Sequence, residues 1–324
     1  MTLPKQSEPR PEATPDLGRR LRRARRRAMF LGLRTILRVV GFERVGIVGR
    51  LAGELQFRFA SRQRRRIRHD MALAMGRPAD DPSVGRALRE AYRVNNTAVL
   101  EIMAMFDRPQ DEAMLAARCE VDGLDHLRAA LAGGRGAILL ATHMGNAALL
   151  TVKLAHAGWP VSVVYREARM MSAGFLQTGL EHYGIQGILA NTGIRAYGQM
   201  LGALKQGRIV FVMMDQGVQK KENGLVRRFL GKDSAMPAGP AQLARAAKAP
   251  LLPVATVAAT PLWRFEIRPP VALGADALEA DLERLVQVTE AQVLAHPELW
   301  SWHHRRWRKL PVASGHTTPA VRSD

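Results

Sequence analysis

The sequence predicts an α/β fold, a layered sheet flanked by helices with a basic amphipathic helix at its N-terminal end. Three observations carry that expectation. From Gly136 onward, short apolar runs alternate with helical patterns, the order that builds a sheet covered by helices. The run Gly136–Thr142 carries no charge and is too short for an isolated helix, so it reads as a buried strand. The positive charge is also uneven: residues 1–70 hold 19 Lys and Arg against 6 Asp and Glu, out of 48 against 29 for the whole chain.

Taken in order, residues 1–18 contain Pro and Glu without periodicity and read as a disordered tail. Arg19–Arg27 places seven arginines in nine positions. Ala28–Val40 has helical spacing, with Met29, Phe30, Leu33, Ile36, Leu37 and Val40 in one sector and Arg34, Thr35 and Arg38 in another. A basic run leading into such a helix suits an anionic membrane surface. The alternative is a helix that packs on the domain and keeps a solvated basic face. A second cluster, Arg62–Arg68, continues the basic surface, so residues 19–70 read as a membrane-associating helical segment. Residues 71–310 form the expected α/β domain, and 311–324 a second disordered tail. Within the domain, helices are expected at 82–106, 146–156, 173–183, 194–205, 239–247 and 276–295. Strands are expected at Ala137–Thr142, Val161–Tyr165, Ile209–Met214, Leu251–Val257 and Trp263–Ile267.

Several classes are disfavoured. No apolar run reaches the ~18 residues of a membrane-spanning helix. No signal peptide fits, because Arg34 and Arg38 interrupt the apolar segment after the basic run. The single cysteine, Cys119, allows no internal disulfide and suits a cytosolic environment. Nucleic acid is not expected as a partner: the basic clusters lack the interleaved aromatics that stack on bases, and no nucleic-acid-binding signature is present. There is no Gly-x-Ser-x-Gly elbow and no P-loop or Gly-x-Gly-x-x-Gly fingerprint. The adjacent His303 and His304 lack the spacing of a zinc site.

His143 follows the buried run and should reach the carboxyl edge of the sheet, where open α/β sheets place their chemistry. A lone histidine there is more often structural than catalytic, so other blocks decide. Ile209–Met214 is a second buried run and ends on Asp215 and Gln216. Parallel strands would bring Asp215 towards His143, unless it is a loop or cap residue. Tyr165-Arg166 closes a third run, and Arg166 is suited to bidentate contact with a phosphate or carboxylate, or else to solvent. Trp300, Trp302 and Trp307 form either an interface-seeking surface or part of the core.

Together the blocks Ala-Thr-His143-Met-Gly-Asn146, Tyr165-Arg166, Ile194-Arg195, Met-Asp215-Gln216, Arg228-Phe-Leu-Gly231, Gly239-Pro240 and His296-Pro-Glu-x-Trp-x-Trp-x-His304-Arg-Arg-Trp307 resemble the bacterial lysophospholipid/lipid A biosynthesis acyltransferases. The resemblance runs over roughly residues 28–310. It implies a glycerolipid-acyltransferase-like sheet and an enzyme on the cytoplasmic face of the inner membrane. Such an enzyme moves an acyl chain from acyl carrier protein, or acyl-CoA, to a hydroxyl of a lipid A precursor or related glycolipid. No metal or bound cofactor is implied. His143 would be the general base, with Asn146, Arg166, Arg195, Gln216, Arg305 and Arg306 contacting substrate.

The chain departs from the family pattern, His-x4-Asp/Glu, at one position that matters: the acid maps to Ala148. Alanine cannot accept a hydrogen bond from an imidazole. Either another carboxylate serves, with Asp215 ahead of Glu167 and Glu181, or the chain is a weakened or inactive homologue that still binds lipid or acyl carrier protein, or an acid has been substituted at this position.

Overall fold

The computed structural model describes residues 17–167, 171–216, 224–275, 277–304 and 306–307. The expected tail 311–324 and nearly all of the tail 1–18 lie outside them. Four helices come first: α1 (Leu17–Val40), α2 (Phe42–Phe59), α3 (Ser61–Ala74) and α4 (Pro82–Asp107). Pro82 opens α4, and the Asp81 side chain accepts the Ser83 N–H at 2.7 Å, an N-cap followed by a residue whose missing N–H costs nothing there.

The inward face of α2 is Phe42, Val45, Gly49 and Gly53. A Cβ on Gly49 would lie 2.4 Å from Thr97 Cα, and one on Gly53 2.5 Å from the Tyr92 carbonyl oxygen, so the two glycines let α2 and α4 approach backbone to backbone. The opposite face of α2, Ile47, Leu51, Leu55 and Phe59, is exposed.

α1 uses its apolar sector in two ways. Phe30 and Leu37 are buried, and the Phe30 ring meets Phe175 edge-on at 5.2 Å. Met29, Ile36 and Val39 stay exposed. The sequence left open a membrane-facing helix and one packed on the domain, and Phe30 and Leu37 take the second. Arg34 and Arg38, placed on the polar sector, both bond the Asp107 carboxylate at the end of α4.

The rest is α5 (Glu112–Ala116), β1 (Cys119–Asp122), α6 (Leu124–Leu131), β2 (Ala137–Ala141), α7 (Ala147–His156), β3 (Val161–Tyr165), α8 (Phe175–Glu181), β4 (Gln186–Leu189), α9 (Ile194–Lys205), β5 (Ile209–Met213), β6 (Gly224–Phe229), β7 (Lys232–Pro237), α10 (Gly239–Ala247), β8 (Leu251–Ala258), β9 (Trp263–Ile267) and α11 (Leu278–Ala295). Seven strands form one sheet in the order β1-β9-β8-β2-β5-β3-β4. Every pairing is parallel except β8 with β9, so β8, β2, β5, β3 and β4 run one way. β2 is buried at every position, as expected of a strand covered on both faces.

The expected α/β class and all five expected strands are present, with ends shifted by at most one residue. The sequence reading did not place β1, β4 or the antiparallel hairpin β6–β7. Among the described residues the hairpin pairs only with itself, and it carries Arg227, Arg228, Lys232 and Asp233, so it lacks the apolar run that marks a buried strand.

Candidate active site

The register of β2 on β5 builds the site. Ala141 pairs with Met213, so the residues two steps beyond, His143 and Asp215, emerge side by side at the carboxyl edge. His143 Nδ1 lies 2.6 Å from Asp215 Oδ1, and the His143 backbone N–H donates to Asp215 Oδ2 at 3.1 Å. The aspartate is fully buried, while the imidazole side chain keeps 28% exposure. The ring is therefore held through Nδ1 and keeps part of its surface open.

Asp215 is itself held by the chain's last described segment. Trp300 Nε1 donates to Oδ2 at 2.8 Å, Arg306 Nη2 donates to the same oxygen at 2.9 Å, and Arg306 Nε donates to the Asp215 carbonyl at 2.7 Å. Burial alone would push this carboxyl up. The neighbouring His143 and Arg306, with the hydrogen bonds from His143 and Trp300, outweigh it and hold the group far below the usual carboxylate range. Burial lowers Arg306 to about 10 in spite of its pairing with Asp215, so the pair stays ionised near neutrality. The guanidinium carbon also sits 3.6 Å from the centre of the Trp300 ring, a cation–π contact in a desolvated place.

Backbone bonds bring that segment in. Ser301 N–H donates to the His143 carbonyl at 2.8 Å and Gly145 N–H to the Leu299 carbonyl at 2.9 Å, forming a small bridge at Met144 and Trp300. Gly145 has a φ of +54°, and a Cβ there would lie 2.2 Å from the Trp263 ring. Only glycine fits a turn that combines a left-handed backbone with an indole packed against it.

Asn146 closes the turn. Its Oδ1 accepts the Leu149 N–H at 3.2 Å, capping α7, and its Nδ2 donates to Glu101 Oε2 at 3.1 Å. Trp263 Nε1 donates to the same Glu101 oxygen at 2.6 Å. Burial raises the Glu101 pKa against the pull of these two bonds and of Arg118.

The structure thus brings His143, Asp215, Gln216 and Arg306 together, with Gln216 Nε2 at 2.9 Å from His143 Nε2. Two residues expected to contact substrate sit behind the site. Asn146 is fully buried and Arg306 only 2% exposed, with their polar atoms bonded to protein. Arg166, after β3, and Arg195, in the first turn of α9, are exposed at the same edge of the sheet. Arg305 lies outside the described residues. The other candidate acids are engaged elsewhere: Glu167 accepts the Gly174 N–H and Glu181 accepts from Gln177. Ala148 lies in the first turn of α7.

Sequence reasoning missed Glu101, Trp300 as a ligand of Asp215, and His304, whose ring meets that of His143 at 5.2 Å. A signal for Glu101 existed, since it is the one charge in the apolar stretch Thr97–Phe106 of α4. The buried Trp300 and Trp302 take the core reading of the tryptophan block.

The sequence model of the bacterial lipid A biosynthesis acyltransferases matches residues 18–309. The phosphatidylinositol mannoside acyltransferase of Mycobacterium tuberculosis strain H37Rv is 26% identical over 255 residues, 74% of this chain and 76% of the relative. The protein of the same description from Mycolicibacterium smegmatis is 27% identical over 254 residues, 74% and 78%. The lipid A biosynthesis palmitoleoyltransferase of Escherichia coli K12 is 24% identical over 195 residues, 60% and 62%.

Proposed function

The chain belongs to the bacterial lipid A biosynthesis acyltransferase family, and we propose that it moves a fatty acyl chain from acyl carrier protein, or acyl-CoA, to a hydroxyl of a lipid A precursor or related glycolipid. The 2.6 Å bond between His143 Nδ1 and Asp215 Oδ1 carries the reading. It fixes the Nδ1–H tautomer, leaves the Nε2 lone pair outward and stabilises the imidazolium that forms. In the proposed step, the acceptor oxygen attacks the thioester carbonyl while its proton passes to Nε2. The C–S bond then breaks, and the imidazolium returns the proton to the leaving thiolate, giving ester and thiol. Asp215 does from the end of β5 what the family pattern assigns to position 148. Gln216, Arg166, Arg195 and Arg305 are proposed to contact substrate, and the exposed arginines suit an acidic carrier protein or anionic headgroups.

The protein is proposed to lie peripherally on the cytoplasmic face of the inner membrane. Among the described residues no helix is long and apolar enough to cross a membrane. The support is the exposed row Ile47, Leu51, Leu55 and Phe59 on α2, together with the exposed Met29, Ile36 and Val39 on α1, whose sequence also carries the arginine run.

Incubation with labelled acyl–acyl carrier protein and glycolipid acceptors tests the reading. Ester formation is expected, and His143→Ala abolishes it. Ala148→Glu is expected to change the rate by less than about tenfold, because the ring already has its orienting acid. The alternative, a disabled homologue that binds lipid or acyl carrier protein, is favoured by Ala148 itself. It predicts near-zero activity in the parent protein and a large gain in Ala148→Glu.

A further inference from the structure

One contact of the base is left unexplained by acyl transfer. Since Nδ1 carries the ring proton towards Asp215, Nε2 holds the lone pair, and the Gln216 amide N–H donates to it at 2.9 Å. A neutral imidazole nitrogen has one lone pair, and an acceptor hydroxyl must reach the same one, at about 2.6–3.2 Å. The two groups therefore compete for a single position.

We propose that Gln216 is a displaceable cap on the base, which denies His143 Nε2 to water until an acceptor hydroxyl replaces it. The inference rests on the reading of His143 as the general base. The two bonds of the ring differ in strength. The bond to Asp215 is charge-assisted and buried, whereas the bond to Gln216 joins two neutral groups, about half as strong, at the exposed side of the ring. An incoming hydroxyl can replace the weaker bond and leave the stronger one in place. The anchoring of the two residues differs in the same way. Arg306 fixes the Asp215 carbonyl, and so the peptide leading into Gln216, while the half-buried Gln216 side chain retains its own torsions.

The consequence concerns a wasteful reaction. With Nε2 uncapped, a water oxygen attacks the thioester carbonyl as its proton passes to Nε2. The C–S bond breaks, and the thiolate takes that proton, giving free fatty acid and thiol. Water arrives unoriented and must displace the amide unaided. An acceptor held by the surrounding surface arrives at high effective concentration.

The test uses the full chain and two readouts. The first is modification of His143 by diethyl pyrocarbonate, followed by peptide mass mapping. The second is thiol release from palmitoyl-coenzyme A with no acceptor present. Gln216→Ala and Gln216→Met, the latter keeping the side chain's length without a donor, are each expected to raise both rates about five- to tenfold, the scale of one hydrogen bond. A His143 modification rate that is unchanged or lower in both variants overturns the cap. Thiol release that persists undiminished in His143→Ala overturns the base itself, a separate result from failure of the cap.

Discussion

Arginine serves the site and the N-terminal helical layer in different ways. At the carboxyl edge of the sheet, Arg306 is 2% exposed and bonds both the backbone and the side chain of a fully buried aspartate. In the α1–α4 layer, Arg34 and Arg38 keep 30% and 43% side-chain exposure while sharing Asp107. Water reaches the two outer guanidiniums, although the Asp107 side chain they share is only 3% exposed, and the buried Phe30 and Leu37 add apolar packing to the docking of α1. Asp215 is fully buried, so removing one partner there strands a charge. The site is rigid because its charges are desolvated and matched. The outer layer keeps an exposed apolar row on α2 and half-exposed arginines bonded to Asp107, which suits the proposed membrane face.

The comparison breaks most sharply at Asp215. Asp215→Asn is expected to lower acyl transfer by up to ~10⁴-fold, the scale of the equivalent change in serine proteases. It should also cost on the order of 3–5 kcal/mol in stability, because Arg306 is left buried without a counter-charge. Steady-state rates and urea unfolding check both. An exposed arginine in α1 should show neither effect.

The second effect belongs to the outer layer alone. Leu51→Glu with Leu55→Glu is expected to weaken retention on vesicles of anionic phospholipid by about 100-fold or more, since each leucine buried in lipid is worth about 1.5–3 kcal/mol. Unfolding should move by less than ~0.5 kcal/mol, because both side chains are exposed in the protein. Retention equal to the parent would sink the proposed membrane face.

The smallest expected effect sharpens the contrast within the buried region. Burial raises the Glu101 pKa, so the folded protein keeps that proton to a higher pH than the unfolded chain does. Stability from this group is then full below the unfolded value of about 4.3 and declines as pH rises through the folded one. Glu101→Gln should flatten that slope in a series of urea midpoints. The glutamine oxygen can still accept from Asn146 and Trp263, so neutral-pH stability should shift by only ~1 kcal/mol.

The strands that carry the site were legible because they are buried on both faces, and a short apolar run without charge has few other uses. Asp215 was legible as a candidate since it ends such a run. Arg306 and Asn146 were legible as notable residues, but their side was not. Each looks like a ligand-binding group in the sequence, but Asn146 is spent on the turn after His143 and Arg306 on Asp215. Glu101 stayed hidden because its partners, Asn146 and Trp263, are 45 and 162 residues away.

The sequence by itself determined the α/β class, five strands of the sheet and the basic N-terminal segment, and it put His143 at the end of a buried strand. Those follow from local pattern and composition, which one chain displays without knowing its own folding. The tertiary structure decided which carboxylate meets that histidine, through a register that sets Ala141 against Met213. It also decided that the last tryptophans and Arg306 lock the carboxylate in place. Both depend on distances across the chain, and only packing creates those.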